Sequence, residues 1–205
     1  MSFNCVKPFD IVGTVNKCIE TLTHVAKLMH HEDQLKAKYH KIFEPIPHTN
    51  LLPTDVQAQI KLKNAEQTIK TRTYQCPRKF WEAWGILLQK HLDAGRIRPS
   101  SSSWASPAFI IPKANKNVLP RWVNNYRQLN SNTVIDSHPL PRVDDILNDC
   151  AKGKIWAMID MTDSFFQTRM HPDDIPLTAV STPFGLYEWL VMPMGLRNTP
   201  AIHQC

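Results

Sequence analysis

A proline-rich break at positions 44–55 divides the chain into two parts with different patterns. Before it, apolar residues recur every three or four positions from Ile11 to Phe43, which predicts one long helix or two joined helices. The break, EPIPHTNLLPTD, contains three prolines, and proline ends a helix. After it, AQIKLKN and TIKTRTY alternate with the period of a strand that has one solvated, basic face. The sequence therefore predicts a helical leader followed by a separate domain that contains strands.

The patterns after the break predict both helices and strands. Helical spacing is found in CPRKFWEAWGILLQKHLDAG, which Gly95 would stop, and in PRVDDILNDCAKG, which has acids in its first turn. Strands are predicted for AFIIPK, LPRWVNNYRQLN and KIWAMI, the last of them buried. TDSFFQTRM predicts a helical turn capped by Thr162, and LTAVSTPFGLYEWLVMP predicts a β-hairpin that turns near residues 183–185. NTPAIHQC predicts the start of a further helix.

Composition argues against several classes of protein. Five cysteines without a C-x-x-C pair predict free, buried thiols rather than disulfides or a zinc ribbon. The stretch His30-His31-Glu32 is not a zincin motif and is expected to be a solvated helix patch. Neither G-x-G-x-x-G nor G-x-x-x-x-G-K occurs, which argues against a dinucleotide fold and a P-loop. No apolar stretch is long enough for a membrane span and no signal peptide is evident, so we expect an intracellular protein that is not secreted.

Charge is distributed unevenly along the chain. Residues 1–60 are neutral overall, residues 61–130 carry a net charge of +10, and residues 131–205 carry −4, which together give the net +6. A basic middle beside an acidic end is typical of a protein that binds a polyanion and holds a metal. The alternative is that the lysines and arginines only solubilise a surface.

Asp160 is the acid that stands out, because it directly follows the apolar run KIWAMI. A carboxylate at the end of a buried strand is costly unless it is paired, hydrogen-bonded or bound to a cation. Mg²⁺ prefers carboxylate oxygens, and two such ions can drive phosphoryl transfer. The alternative is a half-exposed acid that begins a turn. Three other sites, Asp163, Asp144-Asp145 and Asp173-Asp174, have simpler explanations as helix-start or turn acids, although Asp160 with Asp163 would also suit a metal-dependent nuclease.

Four segments follow one another in a specific order: AGRIRPSSSSWASPAFIIPK, RWVNNYRQLNSNTVIDSHPLPRVDDIL, AMIDMTDSFFQTRM and YEWLVMPMGLRNTPAIHQ. Taken together they resemble the first half of a reverse transcriptase of the Ty3/Gypsy class of LTR retrotransposons, and the resemblance extends from Leu51 to Gln204. It implies an α+β fold, that of the fingers and incomplete palm of a right-hand polymerase, preceded by a helical segment at residues 1–50. The fingers would comprise about 51–135 and 170–190, and the palm about 136–169 and 191–205.

The resemblance also implies roles for individual residues around a nucleotide and two Mg²⁺ ions. Asp160 matches the first catalytic metal ligand, with the carbonyl of Met161 nearby. Phe165 matches the ring below the sugar that excludes a 2′-hydroxyl. Arg121 matches the residue that grips the triphosphate, assisted by Lys113, and the planar, permanently charged guanidinium suits phosphate. The alternatives are an ordinary core ring for Phe165 and a hairpin charge for Lys113.

The segment MPMGLRN matches the loop beside the templating base. Gly195 would allow a close backbone approach and Arg197 would contact phosphate, with a plain surface charge as its alternative. Three positions depart from the common pattern of the family. They are Asn125 in place of Asp, Leu177 in place of Lys, and Met194 in place of Phe or Gln.

The expected partners are an RNA or DNA template with its primer, dNTPs and the remainder of a Pol polyprotein, in the cytoplasm, virus-like particles or nucleus. The family's Y-x-D-D pair does not occur in the sequence, and RVDDIL precedes Asp160 and belongs to a helix. One carboxylate cannot hold two Mg²⁺ ions, so we expect this chain alone not to polymerise. We also expect an unfinished palm sheet with an exposed edge and poor solubility. The alternative function is a non-catalytic remnant that at most binds nucleic acid.

Overall fold

The computed structural model describes residues 11–44, 46–115, 118–138, 141–158 and 160–204. The chain forms two compact units, Met1–Pro45 and Ile46–Cys205. In the first, helix α1 (Ile11–Lys38) is followed by a 3₁₀ turn at His40–Phe43. The helical pattern predicted before the proline-rich break is therefore confirmed. None of the described helices is long and apolar enough to cross a bilayer.

The second unit contains short strands and helices in alternation. The described strands are β1 (Gln57–Ala58), β2 (Ile97–Pro99), β3 (Ser106–Ile111), β4 (Arg121–Asn124), β5 (Arg169–Met170), β6 (Val180–Thr182) and β7 (Gly185–Trp189). The described helices are α2 (Trp81–Asp93), α3 (Arg127–Asn132), α4 (Val143–Ala151) and α5 (Thr199–Gln204). The predicted hairpin and the predicted helix stopped by Gly95 are confirmed. The helices predicted in PRVDDILNDCAKG and NTPAIHQC are also confirmed, as Val143–Ala151 and Thr199–Gln204.

A five-stranded sheet in the order β2-β7-β6-β3-β4 forms the framework of this unit. Within this sheet only the β3–β6 pair is parallel, and β1 pairs with β5, also in parallel, in a separate two-stranded sheet. The core of the unit contains Trp84, Tyr126, Leu129, Trp189 and Met192, all buried. The α2 helix supplies Trp84, and its ring meets Trp122 of β4 edge-on at a centroid distance of 4.5 Å. Burial of such large rings is a main source of stability in a domain of this size.

The predicted strand LPRWVNNYRQLN is half wrong. Its first part forms β4, but Arg127–Asn132 form helix α3. The last ladder contact is the Asn125 N–H, which donates to the Pro107 carbonyl over 2.9 Å. Beyond it the buried Tyr126 turns the chain, and its hydroxyl donates to the Thr178 carbonyl over 2.8 Å. Arg, Gln and Leu are good helix formers, and no β-branched residue in α3 favours a strand.

The prediction of a buried strand at KIWAMI is wrong. The described residues 154–158 form no strand, Ile155 is 91% exposed and Met158 is 94% exposed. A strand is stable only when neighbouring strands accept and donate its backbone hydrogen bonds. No strand in the described part of the chain pairs with these residues, so the apolar pattern alone cannot organise them.

Several smaller predictions also need correction. AQIKLKN and TIKTRTY contribute only the short β1 and isolated bridges at Leu62 and Lys70 rather than full strands. The turn after Asp160 has Asp163 at its N-cap position, not Thr162. Asp174 is not simply solvated, because its Oδ2 accepts a hydrogen bond from the Ile60 N–H over 2.9 Å. Thiols expected to be buried are exposed at Cys18 and Cys150 and half-buried at Cys76.

Candidate functional site

A pocket of about 390 Å³ lies between α2, β4 and the turn that follows Asp163. It is called here the cationic pocket, because its lining includes four basic side chains and a single carboxylate. The basic side chains are Lys90, Arg96, Lys113 and Arg121, and the carboxylate is Asp163. Such an excess of positive charge in one concave site favours a multiply charged anion.

Arg121 and Lys113, which the sequence associates with a triphosphate, lie in this pocket together. The antiparallel pairing of β3 with β4 places Arg121 opposite Ile111, two residues before Lys113. Both side chains are exposed, and Arg121 Nη2 lies 3.7 Å from the sulfur of Met194. The hairpin register therefore directs two cations to one opening, where they can bind phosphate oxygens.

Arg96 forms the most tightly held ion pair of the pocket. Its Nη1 donates to Asp163 Oδ2 over 3.1 Å, and the two side chains are 9% and 33% exposed. The guanidinium also lies over the ring of Phe166, 4.7 Å from its centroid. Its backbone is held between α2 and the end of β7, because its N–H donates to the His91 carbonyl and its carbonyl accepts from the Leu190 N–H.

Asp163 adopts a left-handed backbone conformation with φ 48° and ψ 35°. Non-glycine residues seldom occupy this region, and Asp and Asn tolerate it better than most. The ion pair with Arg96 therefore stabilises a turn that leads directly into Ser164–Gln167. Asp163 is thus a structural anchor of the site, three residues after Asp160.

His91 lies at the base of the cationic pocket. Its ring meets the rings of Trp122, Phe166 and Trp189 edge-on, at centroid distances between 5.0 and 5.5 Å. Burial, with further contributions from the positive charges of Arg96 and Lys90, lowers the pKa of His91 to about 4. His91 is therefore neutral at physiological pH, and its Nδ1 has no hydrogen-bond partner among the described residues.

The other predicted residues of the reacting centre lie outside the lining of the cationic pocket. Asp160 and Met161 are exposed, whereas Phe165 is half-buried and meets the His203 ring edge-on at 5.1 Å. No cluster of three His, Cys, Asp or Glu that could hold a metal occurs in the described ranges. Asp160 and the Met161 carbonyl offer oxygens that suit part of a magnesium shell, while the Asp163 carboxylate is occupied by Arg96.

Gly195 and Arg197 belong to a loop on a second, larger pocket. This amide pocket has a volume of about 520 Å³ and is lined by Tyr74, Phe109, Val123, Asn124, Asn125, Tyr126, Arg127, Asn130 and Gly195. Gly195 has φ 102°, a conformation that side chains rarely adopt. Arg197 is exposed, and its Nη1 donates to the Asn130 carbonyl over 2.9 Å.

Sequence reasoning missed Arg96, His91 and Asn130. Arg96 and His91 flank the predicted end of α2, and nothing in their local pattern distinguishes them from surface residues. Asn130 falls in YRQLN, which alternation predicted as strand. Arg96 was included only in the charge of the basic segment and in the motif AGRIRPSSSSWASPAFIIPK, and neither signal indicates which cation meets which acid.

Residues 111–205 match the family model described as reverse transcriptase (RNA-dependent DNA polymerase). The chain is 34% identical over 175 residues to the retrovirus-related Pol polyprotein from transposon opus of Drosophila melanogaster. This alignment covers 84% of the chain and 17% of the polyprotein. The chain is 42% identical over 123 residues to the corresponding polyprotein from transposon 297 of Drosophila melanogaster, covering 57% of this chain and 11% of that protein. The enzymatic polyprotein of cauliflower mosaic virus (strain NY8153) is 33% identical, covering 73% of this chain and 22% of that protein.

The fold resembles solved reverse transcriptase structures. The prototype foamy virus protease-reverse transcriptase aligns with a TM-score of 0.70 and 19% identity, over 87% of this chain and 24% of that one. A foamy viral protease-reverse transcriptase in complex with an RNA/DNA hybrid aligns with a TM-score of 0.69 and 17% identity, over 85% and 23% of the two chains. The predicted α+β polymerase fold is thereby confirmed, and this chain spans less than a quarter of the length of these relatives. Residues 111–205 therefore match the reverse transcriptase family, and the relatives of the chain include Pol polyproteins of retrotransposons and the enzymatic polyprotein of a virus.

Proposed function

We propose that this chain is the amino-terminal part of an RNA-directed DNA polymerase of the Ty3/Gypsy class, acting inside the cell on a primed RNA or DNA template with dNTPs. The observation that carries the proposal is the cationic pocket. It brings Arg121 and Lys113 together beside the turn anchored by Asp163, three residues after Asp160. The rest of the Pol polyprotein would supply the remaining parts of the enzyme.

Five residues of the chain have a defined task in this proposal. Arg121 and Lys113 bind and orient the triphosphate through charge-assisted hydrogen bonds. Phe165, fixed on one side by the core and the His203 ring, forms the wall below the sugar. Asp160 and the Met161 carbonyl would hold magnesium, which when bound neutralises charge at the phosphates. Because one free carboxylate cannot hold two ions, we expect no primer extension by this chain by itself.

Nucleic acid binding without catalysis is the second candidate, and the net charge of +10 at residues 61–130 favours it. Both candidates require that the chain bind a polyanion. Only the polymerase candidate also requires that the template strand be positioned to pair with an incoming nucleotide and that the cationic pocket bind this nucleotide.

The binding of a primed RNA/DNA hybrid should depend steeply on salt. Contact with about five phosphates predicts that log Kd changes with log salt concentration with a slope of magnitude about 4. Fluorescence anisotropy with a labelled hybrid, at several salt concentrations, measures this slope. Arg121→Ala should not abolish hybrid binding but should weaken the binding of a dNTP–Mg²⁺ complex by about tenfold, which corresponds to one charge-assisted contact.

The control for charge is Lys152→Ala. Lys152 is 77% exposed, forms its ion pair among the described residues with the equally exposed Asp149, and lies in the net acidic region. Its removal should leave both measurements unchanged. A flat salt dependence for the wild-type chain would remove the nucleic acid function, and equal nucleotide binding by the wild type and the Arg121 variant would remove the assignment of the cationic pocket.

A further inference from the structure

The loop at residues 192–198 runs close to the end of β4. A Cβ atom added to Gly195 would lie 3.2 Å from the Asn124 carbonyl oxygen and 3.5 Å from Tyr126 Cδ2. The positive φ of Gly195 adds a second constraint, since the backbone there is shaped for glycine. Hydrogen-bond partners elsewhere in the chain also hold this loop in its position.

Asn130 of α3 supplies these partners. Its Nδ2 donates to the Gly195 carbonyl over 2.8 Å, and its Oδ1 accepts from the Arg197 N–H over 2.9 Å. The main-chain carbonyl of Asn130 also accepts from Arg197 Nη1 over 2.9 Å. One residue thus makes three hydrogen bonds to two loop residues that lie 65 and 67 positions further along the chain.

A second amide extends the same connection. Asn198 accepts from the Asp136 N–H over 3.1 Å and donates to the Val134 carbonyl over 2.9 Å. The loop is therefore joined to residues 130–136 at both ends of its Gly195–Asn198 segment. Of Asn130 and Asn198, only Asn130 also lines the amide pocket, together with Gly195.

The two side-chain hydrogen bonds of Asn130 need both a donor and an acceptor on one short side chain, which asparagine provides. The Gly195 carbonyl needs a donor and the Arg197 N–H needs an acceptor, and a primary amide offers both on one short, planar group. Aspartate keeps the acceptor but has no donor when ionised, and alanine has neither. Glutamine carries the same amide one methylene further out.

We propose that Asn130 is a positioning residue that holds the Gly195–Arg197 segment in place for contact with the template strand. This inference rests on the proposed polymerase function. The Arg197 guanidinium is thereby assigned to the clamp through Nη1, rather than being wholly free for phosphate. The template lies against the exposed Gly195 backbone, and Asn130 acts on it through that backbone.

The chain offers a matched control on the same helix. Asn132 also uses its amide for two hydrogen bonds, accepting from the Asn64 N–H over 3.0 Å and donating to the Asn64 carbonyl over 2.8 Å. It has no hydrogen bond to the loop. Asn130→Ala and Asn132→Ala therefore remove the same kind of clamp from α3, one at the loop and one away from it.

The test uses the 205-residue chain with a primed template that carries 2-aminopurine at the first unpaired template position. Asn130→Ala should raise the Kd of this hybrid about tenfold and abolish the fluorescence response, while the salt slope stays that of the wild type because the phosphate contacts remain. Asn130→Asp, which keeps the bond to the Arg197 N–H, should raise the Kd about threefold. Asn132→Ala should stay within twofold of the wild type in Kd and keep the response, even though both alanine variants lower the melting temperature.

Each other outcome counts against the inference. A normal 2-aminopurine response in Asn130→Ala, or an equal loss in Asn132→Ala, would show that the amide has only a structural role. If Asn130→Ala does not fold, an Asn130→Asp variant that behaves as the wild type gives the same negative answer. Failure of the wild-type chain to bind the hybrid would instead overturn the proposed function, and the inference with it.

Discussion

Replacing Asp163 with alanine should lower the free energy of unfolding by about 2–3 kcal/mol. The change leaves the Arg96 guanidinium, which is 9% exposed, charged and without its partner. Removal of one partner from a fully buried pair costs about 3–5 kcal/mol, and the value here is lower because Asp163 is 33% exposed. Alanine also tolerates the left-handed backbone at this position less well than aspartate.

Urea denaturation of the wild type and two further variants provides the measurement. Asp163→Asn retains an oxygen acceptor and a tolerance for positive φ, so it should cost only about 1 kcal/mol. Asp149→Ala is the control, because Asp149 and its partner Lys152 are both 77% exposed and such pairs contribute little. A loss at Asp163 no larger than at Asp149 would contradict the role of Asp163 as an anchor.

Acid should destabilise the wild-type chain more than a His91→Phe variant. The pKa of His91 is about 4 in the folded state and about 6.5 as a model value. Between pH 4 and pH 6.5 the His91 ring is protonated in the unfolded chain but neutral in the folded chain. The neutral, buried ring therefore contributes to the free energy of unfolding above pH 6.5, and this contribution is lost as the pH falls to 4. This difference between the two pKa values of His91 corresponds to about 3 kcal/mol in the free energy of unfolding. Phenylalanine cannot bind the proton, and its ring suits the surrounding Trp122, Phe166 and Trp189 rings.

The measurement is the free energy of unfolding at pH 7 and at pH 4 for both proteins. At pH 7 they should differ by less than about 1.5 kcal/mol, the usual cost of a well-tolerated core change. The wild type should then lose about 3 kcal/mol more than the variant on going to pH 4. A substitution of the exposed His31 by glutamine is the control and should follow the wild type. Parallel losses in wild type and His91→Phe would show that His91 is not the group responsible.

Local patterns predicted much of the fold. The helix α2 with its stop at Gly95, the hairpin of β6 with β7 and the start of α4 all follow from residue spacing and turn chemistry over fewer than twenty residues. Arg121 and Lys113, which the resemblance to reverse transcriptases assigns to one triphosphate, line the same pocket, and the pairing of β3 with β4 brings them there. Their roles toward a nucleotide remain a prediction.

The remaining features depend on contacts between distant parts of the chain. Arg96 meets Asp163 across 67 positions, and Asn130 meets Gly195 across 65. Neither contact produces a periodic pattern in the sequence. A single amide or guanidinium could bond to many different residues, so the sequence alone does not show which partner it has. KIWAMI shows the opposite failure, in which a strong local pattern has no neighbouring strand to complete it.

The stretch between α4 and Asp163 has a topological consequence. Strands from both sides of it interlock, because β6 pairs with β3 and β7 with β2. The hydrogen bonds of the sheet therefore do not depend on an unbroken backbone at Asp160. Asp160 lies on the segment of chain that connects these two groups of strands, whereas Arg121 of the cationic pocket lies on β4 of the sheet itself.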